Sequence, residues 1–151
     1  MTDACLPRSK EALRSVLESF KVETAEKYRK RDVTGDGLPE TWCNVFLSDA
    51  TAALSCPVPL FLANAQVAWL REMGAAHGWR MVDAHQAEVL ISEGYPVVAG
   101  WSNPRGHGHV AVGSPSEEKG LHVAQAGSVN FTCRPISRGF GLTPYLLFAH
   151  D

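Results

Sequence analysis

The chain has 151 residues, of which 45% are hydrophobic and 20% are charged, and its formal net charge is −2 at pH 7. These values predict a single globular domain with a sizeable core. The small negative charge and the lack of a dense Lys/Arg face argue against a nucleic-acid-binding protein, and no apolar run is long enough for membrane insertion.

The first half of the chain is predicted to be helical. Apolar residues recur there at helical spacing, and residues that cap or stop helices stand at the ends of the apolar runs. Ser9, Asn64 and Asp83 are the predicted N-caps. The predicted helices cover residues 9–30, 43–55, 64–73 and 83–93, and a short strand covers residues 79–82.

The second half changes to short apolar runs separated by turns rich in glycine, proline and asparagine. Helices followed by hairpin-linked strands predict an α+β fold, with N-terminal helices packed on a small antiparallel β-sheet. We expect one domain over residues 1–151: an N-terminal helical segment at 1–30, a helical half at 41–95 with a cysteine, and a sheet half at 96–150 with a histidine. The predicted strands cover residues 96–101, 109–112, 121–126, 129–133 and 145–150.

Four cysteines are present, and none belongs to a CxxC pair, which argues against a structural zinc site. One disulfide among Cys5, Cys56 and Cys133 can form, although a chain of this size does not need one. Cys43 differs from the others because it opens a predicted helix. Unpaired N–H groups and the positive end of the helix dipole lie there, and we expect them to lower the pKa of the thiol and make it a nucleophile. The alternative is a small buried hydrophobic residue.

The loop before this helix has the alternating oxygen ligands that begin a calcium-binding loop. Asp32, Thr34 and Asp36 alternate, and Gly37 follows. The twelfth position is Cys43, where a calcium loop requires a bidentate glutamate. A calcium site at Asp32 and Asp36 is therefore a weak alternative to a plain Asp/Gly turn, and we expect no cofactor to be required.

A nucleophilic thiol needs a base and a polar group that orients the base. His109 opens a predicted strand directly after a glycine-rich turn, and the next strand carries His122 and Gln125. Because side chains alternate along a strand, His122 and Gln125 point to opposite faces, so only one of them can face His109. A histidine at a strand start that serves only a structural role is the alternative for His109.

These residues carry a family resemblance over roughly residues 28–150. The order of a helix-start cysteine, a strand-start Gly-His-Val-Ala-Val and a polar residue on the next strand resembles the papain-like peptidoglycan hydrolases, the NlpC-type endopeptidases and CHAP amidases. NlpC-type members usually have histidine as the third residue, and CHAP members have glutamate or asparagine. We prefer Gln125, because the CHAP layout places it better, and keep His122 as the alternative.

The resemblance implies a papain-like fold and a mechanism. Cys43 attacks an amide carbonyl, His109 moves the proton, and Gln125 orients the imidazole without contributing charge. The backbone N–H of Cys43 is one donor to the oxyanion, and Tyr28 or Thr41 is the expected second donor. Trp42 and Trp101 are candidates for the walls of a substrate groove, with core packing as the alternative.

The implied activity is hydrolysis of an amide bond in the stem peptide of bacterial peptidoglycan. The first seven residues contain an acid and a proline where a signal peptide needs basic and then apolar residues, so we expect none. Synthesis in the cytoplasm and action in the periplasm or cell wall then suit a phage lysis enzyme or an injected antibacterial toxin. A delivery or immunity protein is the expected partner.

Other interpretations stay open. The same cysteine and histidine can serve a transglutaminase, deamidase or acyltransferase, and a binding module with a buried Cys43 needs no chemistry at all. His107, His109 and His122 also form a histidine-rich group that can bind a metal, but no acidic or cysteine ligand has convincing spacing.

Overall fold

The computed structural model describes residues 8–151 and confirms a mixed helix and sheet chain of the α+β class with one antiparallel sheet. The helices are α1 (Lys10–Ser19), α2 (Cys43–Ala53), α3 (Ala63–Glu72), α4 (Ala84–Ser92) and the short α5 (Ser137–Phe140). The strands are β1 (Trp79–Val82), β2 (Val97–Trp101), β3 (His109–Gly113), β4 (His122–Gln125), β5 (Phe131–Pro135) and β6 (Leu146–His150).

The six strands lie in the order β1–β6–β2–β3–β4–β5. The strands from β2 to β5 are joined as successive antiparallel hairpins, as the turn-rich sequence predicts. The last strand, β6, then returns between β2 and β1 and pairs with both. The predicted helical half at 41–95 therefore also supplies one edge strand of the sheet.

Helices cover both faces of the sheet, which explains why β2 and β3 are buried almost throughout. The side chain of Val67 on α3 lies against Gly100, and that of Ile91 on α4 lies against Gly113 beside Val97. Since Val97 and Gly100 are three residues apart on one strand, they point to opposite faces. A continuous apolar run such as that of β2 is typical of a strand with no solvent-exposed face.

The first helix is much shorter than predicted. Ser9 caps it as expected, since its Oγ accepts the N–H of Ala12, but the helix ends at Ser19 instead of continuing to residue 30. The backbone at Lys21 adopts a left-handed conformation with φ of 49°, which turns the chain and places Val22 in the core. A short 3-10 helix at Glu26–Tyr28 follows.

The two other predicted caps have different outcomes. Asp83 caps α4 in a capping box, in which its side chain accepts the N–H of Gln86 and the Gln86 side chain accepts the N–H of Asp83. Asn64 does not cap α3, which begins after Leu62 without a side-chain cap. Its amide instead binds the loop before His109, so the cap prediction is wrong.

The cysteine prediction is tested only in part, because Cys5 lies outside the described residues. Cys56 is buried, Cys133 is exposed on β5, and no disulfide joins them to each other. None of the helices within residues 8–151 is long and apolar enough to cross a membrane.

Candidate active site

Cys43 is the first residue of α2, and its thiol is almost fully buried against the start of β3. The backbone N–H groups of Val110, Asn44 and Cys43 itself point at the sulfur and favour its ionised form. Val110 follows His109 in the chain, so this contact brings the thiol and the base residue to the same end of β3. The N-cap residue Trp42 makes no side-chain cap, which leaves the first-turn N–H groups available.

The resting thiol is nevertheless harder to ionise than a free cysteine. Only 7% of Cys43 is exposed, and this burial raises the pKa of the thiol more than the three N–H groups lower it. The predicted lowering of the Cys43 pKa by the helix start is therefore wrong in direction. Burial removes water from the sulfur, and the dipole of one helix end does not replace that solvation.

Gln125 is the polar residue beside His109. The Nε2 atom of His109 lies 2.7 Å from Oε1 of Gln125, and Gln125 is itself only 3% exposed. The Gln125 Nε2 donates to the backbone carbonyl of Val129 at 2.9 Å. Because a carbonyl can only accept, this second bond fixes the amide with its oxygen toward the imidazole.

This orientation also fixes the tautomer of the imidazole. An amide oxygen accepts, so Nε2 of His109 must carry a proton and donate it. In the neutral ring, Nδ1 then holds a lone pair and can accept a proton. Desolvation is the main cause that lowers the pKa of His109, partly opposed by the Gln125 hydrogen bond, so the imidazole is neutral at rest.

Two residues of α5 hold the imidazole and the amide in place. The ring of Phe140 on α5 packs on the imidazole, with 4.7 Å between the ring centroids. Gly139 lies against the amide so closely that a Cβ there would stand 2.0 Å from Oε1 of Gln125. Only glycine fits this contact without moving the amide. A four-residue helix has no strong sequence pattern. The roles of Phe140 and Gly139 beside His109 and Gln125 therefore could not be predicted from the sequence.

His122 lies away from this pair, as the strand alternation requires. Its Nδ1 is 3.1 Å from the carbonyl of Gly120, and its Nε2 is 3.5 Å from a carboxylate oxygen of Glu118. The histidine-rich group does not come together as a metal site within residues 8–151, where the one cluster of three metal-ligating side chains is acidic. Of the two candidates for the third position, the structure brings Gln125 to His109.

A cleft of about 570 Å³ opens beside Cys43. Thr41, a candidate oxyanion donor, and Trp42, a candidate for the groove wall, line it, whereas Trp101 is not among its lining residues. The Trp42 indole N–H donates to the carbonyl of Arg29 at 2.9 Å, which holds the ring at the cleft wall. The cleft is lined by residues 36, 38–44, 62–64 and 106–108.

Tyr28 does not take part in this cleft. Its hydroxyl donates to Asp49 at 2.5 Å, its ring packs against Phe20 and Phe46, and it is not among the cleft residues. Burial, and then the Asp49 carboxylate, raise the pKa of the hydroxyl. The prediction of Tyr28 as an oxyanion donor is therefore wrong, because burial beside Asp49 uses its only O–H group.

Asn64 organises the opposite wall, a role that the sequence did not reveal. Its Nδ2 donates to the carbonyls of Asn103 and Gly106, and its Oδ1 accepts the N–H of Asn103. A Cβ on Gly108 would stand 2.3 Å from this Oδ1, so the loop fits only with glycine at that position. The asparagine thus sets the path of the chain that leads into His109.

The acidic loop forms a third wall. Ligand oxygens of Asp32, Asp36 and Glu40 lie within 4.8 Å of one another. This cluster contains the two predicted calcium ligands, Asp32 and Asp36, together with Glu40, which was not part of that prediction. Asp32 already accepts the backbone N–H groups of Thr34, Gly35 and Gly37, and these bonds lower its pKa. The loop itself therefore satisfies the Asp32 carboxylate without a cation. The calcium site at Asp32 and Asp36 stays a prediction.

No protein-family model and no curated protein matches the chain.

Proposed function

We propose that the protein is a cysteine-dependent hydrolase with a papain-like fold, which cleaves an amide bond in the stem peptide of bacterial peptidoglycan. The hydrogen bond between Nε2 of His109 and Oε1 of Gln125 carries this proposal. It leaves Nδ1 of His109 as the proton acceptor at the end of β3 where the thiol of Cys43 lies. A buried nucleophile, a base in a fixed tautomer and a residue that orients the base are the parts that acyl transfer needs.

The reaction proceeds in two stages. The sulfur of Cys43 attacks the carbonyl carbon while its proton passes to Nδ1 of His109, and the backbone N–H of Cys43 donates to the oxyanion. The C–N bond then breaks, and the imidazole returns the proton to the leaving amine. Water attacks the resulting thioester, His109 accepts the proton of the water, and the acid product leaves as the thiol is restored.

The protonation states of Cys43 and His109 before the reaction determine when the proton is transferred. Cys43 is buried and His109 is half-buried, and desolvation raises the pKa of the thiol and lowers the pKa of the imidazole. Both groups therefore start neutral, and the thiol proton moves to Nδ1 as the sulfur attacks. A neutral Gln125 orients the imidazole but adds no charge to stabilise an imidazolium. The hydroxyl of Thr41, at the cleft wall, is the candidate for the second oxyanion donor.

The cleft suits an extended peptide with small apolar side chains. Leu38 and Leu62 are each 69% exposed and stand among the residues that line it, so apolar side chains face incoming substrate. The walls also present the polar groups of Thr41 and Asn44, which can hydrogen-bond peptide amides. We place the protein in the periplasm or cell wall, as a phage lysis enzyme or an injected toxin with a delivery or immunity partner.

The test is digestion of purified peptidoglycan by the wild type and by Cys43→Ala, with mass spectrometry of the released fragments. Fragments from the wild type and from the control Cys133→Ala, but none from Cys43→Ala, are the expected result. Their masses identify the bond. A folded wild type that releases nothing from several wall chemistries would overturn the proposal, and amide transfer or deamidation of added peptides would then assign the acyl-transfer function.

A further inference from the structure

We propose that Asn130 is a positioning residue that acts on His109 through Val129 and Gln125. The inference rests on the proposed function, because it concerns how the base of that reaction is held. Asn130 lies in the turn between β4 and β5, and its side chain hydrogen-bonds to Gly127, Val22 and Tyr28 and not to Cys43 or His109. Its neighbour in the chain supplies the carbonyl that orients the Gln125 amide.

The side chain of Asn130 joins two parts of the chain that are far apart in sequence. Its Nδ2 donates to the carbonyl of Tyr28 at 2.7 Å and to that of Val22 at 3.2 Å. Its Oδ1 accepts the N–H of Gly127 at 2.8 Å. Both amide hydrogens and one oxygen lone pair are therefore used, and the turn is fixed to the segment between α1 and α2.

The attachment of the turn by Asn130 matters because the Val129 carbonyl determines the tautomer of the His109 imidazole. With the carbonyl in place, the Gln125 amide must direct its oxygen to His109 and keep the proton on Nε2. If the turn moves and the carbonyl is lost, the amide can rotate and present its NH₂ group instead. Nε2 would then have to accept, the proton would sit on Nδ1, and the ring could not accept the thiol proton.

The turn between β4 and β5 packs closely against Gln125 and His109. A Cβ on Gly127 would stand 3.3 Å from both Nε2 of Gln125 and Cε1 of His109, so the turn itself packs against the two side chains. The register between β4 and β5 also shifts between Val123 and Gln125, which shows that the ladder alone does not align this end of β4. A side chain that spans the turn supplies the missing constraint.

Asn130→Ala and Asn130→Asp test the proposal on wall fragments. Aspartate keeps the acceptor for Gly127 but cannot donate to the two carbonyls. Both variants should therefore lose kcat about tenfold, a part of the roughly 10²- to 10⁴-fold that general acid–base catalysis contributes, with KM changed less than about twofold. In a Gln125→Ala background, Asn130→Ala should cause no further loss of kcat. The control is Asp83→Ala, which removes a cap on α4 and should lower Tm without lowering kcat.

A second measurement does not depend on activity. Nitrogen-15 NMR of the His109 ring should show a single Nε2–H tautomer in the wild type and a mixture of tautomers in Asn130→Ala. The same Nε2–H tautomer in both proteins, or an equal loss of kcat with and without Gln125, would overturn the positioning role. If the wild type cleaves no wall but the tautomer changes as expected, the proposed function fails and the positioning role stands.

Discussion

The imidazole of His109 is oriented by the uncharged amide of Gln125, at 2.7 Å between Nε2 and Oε1. A carboxylate in that place would stabilise a protonated imidazole, whereas an amide supplies only orientation. The imidazole of His109 therefore keeps a pKa below its usual value, because desolvation is not compensated by a nearby negative charge. This relationship predicts how the pH dependence of the proposed hydrolysis responds to a change at position 125.

Replacing Gln125 with glutamate should move the acidic limb of the pH–rate profile to higher pH. The new carboxylate stabilises the protonated form of His109, so its pKa rises and the neutral base is lost at a higher pH. Gln125→Ala should instead lower kcat about 100-fold, at the low end of the roughly 10²- to 10⁴-fold that general acid–base catalysis contributes. The measurement is kcat/KM on a soluble wall peptide between pH 5 and pH 9.

His122→Gln is the matched control, because His122 lies next to Glu118 and Gly120 and not beside His109. It should keep kcat and the acidic limb unchanged. A larger loss of kcat in His122→Gln than in Gln125→Ala would contradict the assignment of Gln125.

The thiol of Cys43 should react with iodoacetamide along a pH curve whose midpoint lies above about 8.5, the value of a free cysteine. Burial raises its pKa, and alkylation requires the thiolate. Peptide mapping by mass spectrometry separates this reaction from that of the exposed Cys133. A midpoint near neutrality would mean that Cys43 and His109 rest as an ion pair.

Much of the fold follows from patterns within single elements. The alternation of His122 and Gln125 along β4 shows that only one of them can face His109, and short turns predict the neighbouring strands from β2 to β5. The return of β6 between β2 and β1 has no such local signal. Cys43 and His109 could be singled out because a helix start and a strand start are marked by local residues. These signals need no knowledge of distant contacts.

What the sequence did not reveal depends on contacts between distant segments. Asn64 looks like a helix cap, but it binds a loop that is about forty positions later in the chain. The pKa of Cys43 depends on how much water the packed sheet excludes, which no local pattern encodes. The end of α1 likewise depends on Val22 reaching the core and not on helix propensity alone.

Gly139→Ala should reduce kcat while leaving the protein folded. The added methyl would stand 2.0 Å from Oε1 of Gln125, so the amide must move away from His109. Ser137→Ala on the same short helix is exposed and should keep full activity. The readouts are kcat and the circular-dichroism melting curve, and normal kcat in folded Gly139→Ala would show that the amide does not need its observed position.

The acidic loop should keep its structure when cations are chelated. Asp32 already accepts three backbone N–H groups, so the loop is closed by its own hydrogen bonds. We expect EDTA to leave Tm and wall cleavage unchanged, and Asp36→Ala to behave in the same way. A rise in Tm on adding calcium to the wild type, absent in Asp36→Ala, would instead establish a calcium site at Asp32 and Asp36.

The free energy of unfolding should fall as the pH drops below about 6.5, the value of an unfolded histidine. Burial lowers the pKa of His109 in the folded state, so the unfolded chain binds a proton that the folded chain resists. The unfolded state then holds more protons, and stability rises with pH across this window. His109→Gln removes the titrating group and should flatten the slope of the free energy of unfolding between pH 5 and pH 7 in urea titrations.

His150 contributes a slope of the same sign, since burial also lowers its pKa, so His150→Gln is the comparison. Equal slopes in the wild type and His109→Gln would show that folding does not lower the pKa of the His109 imidazole.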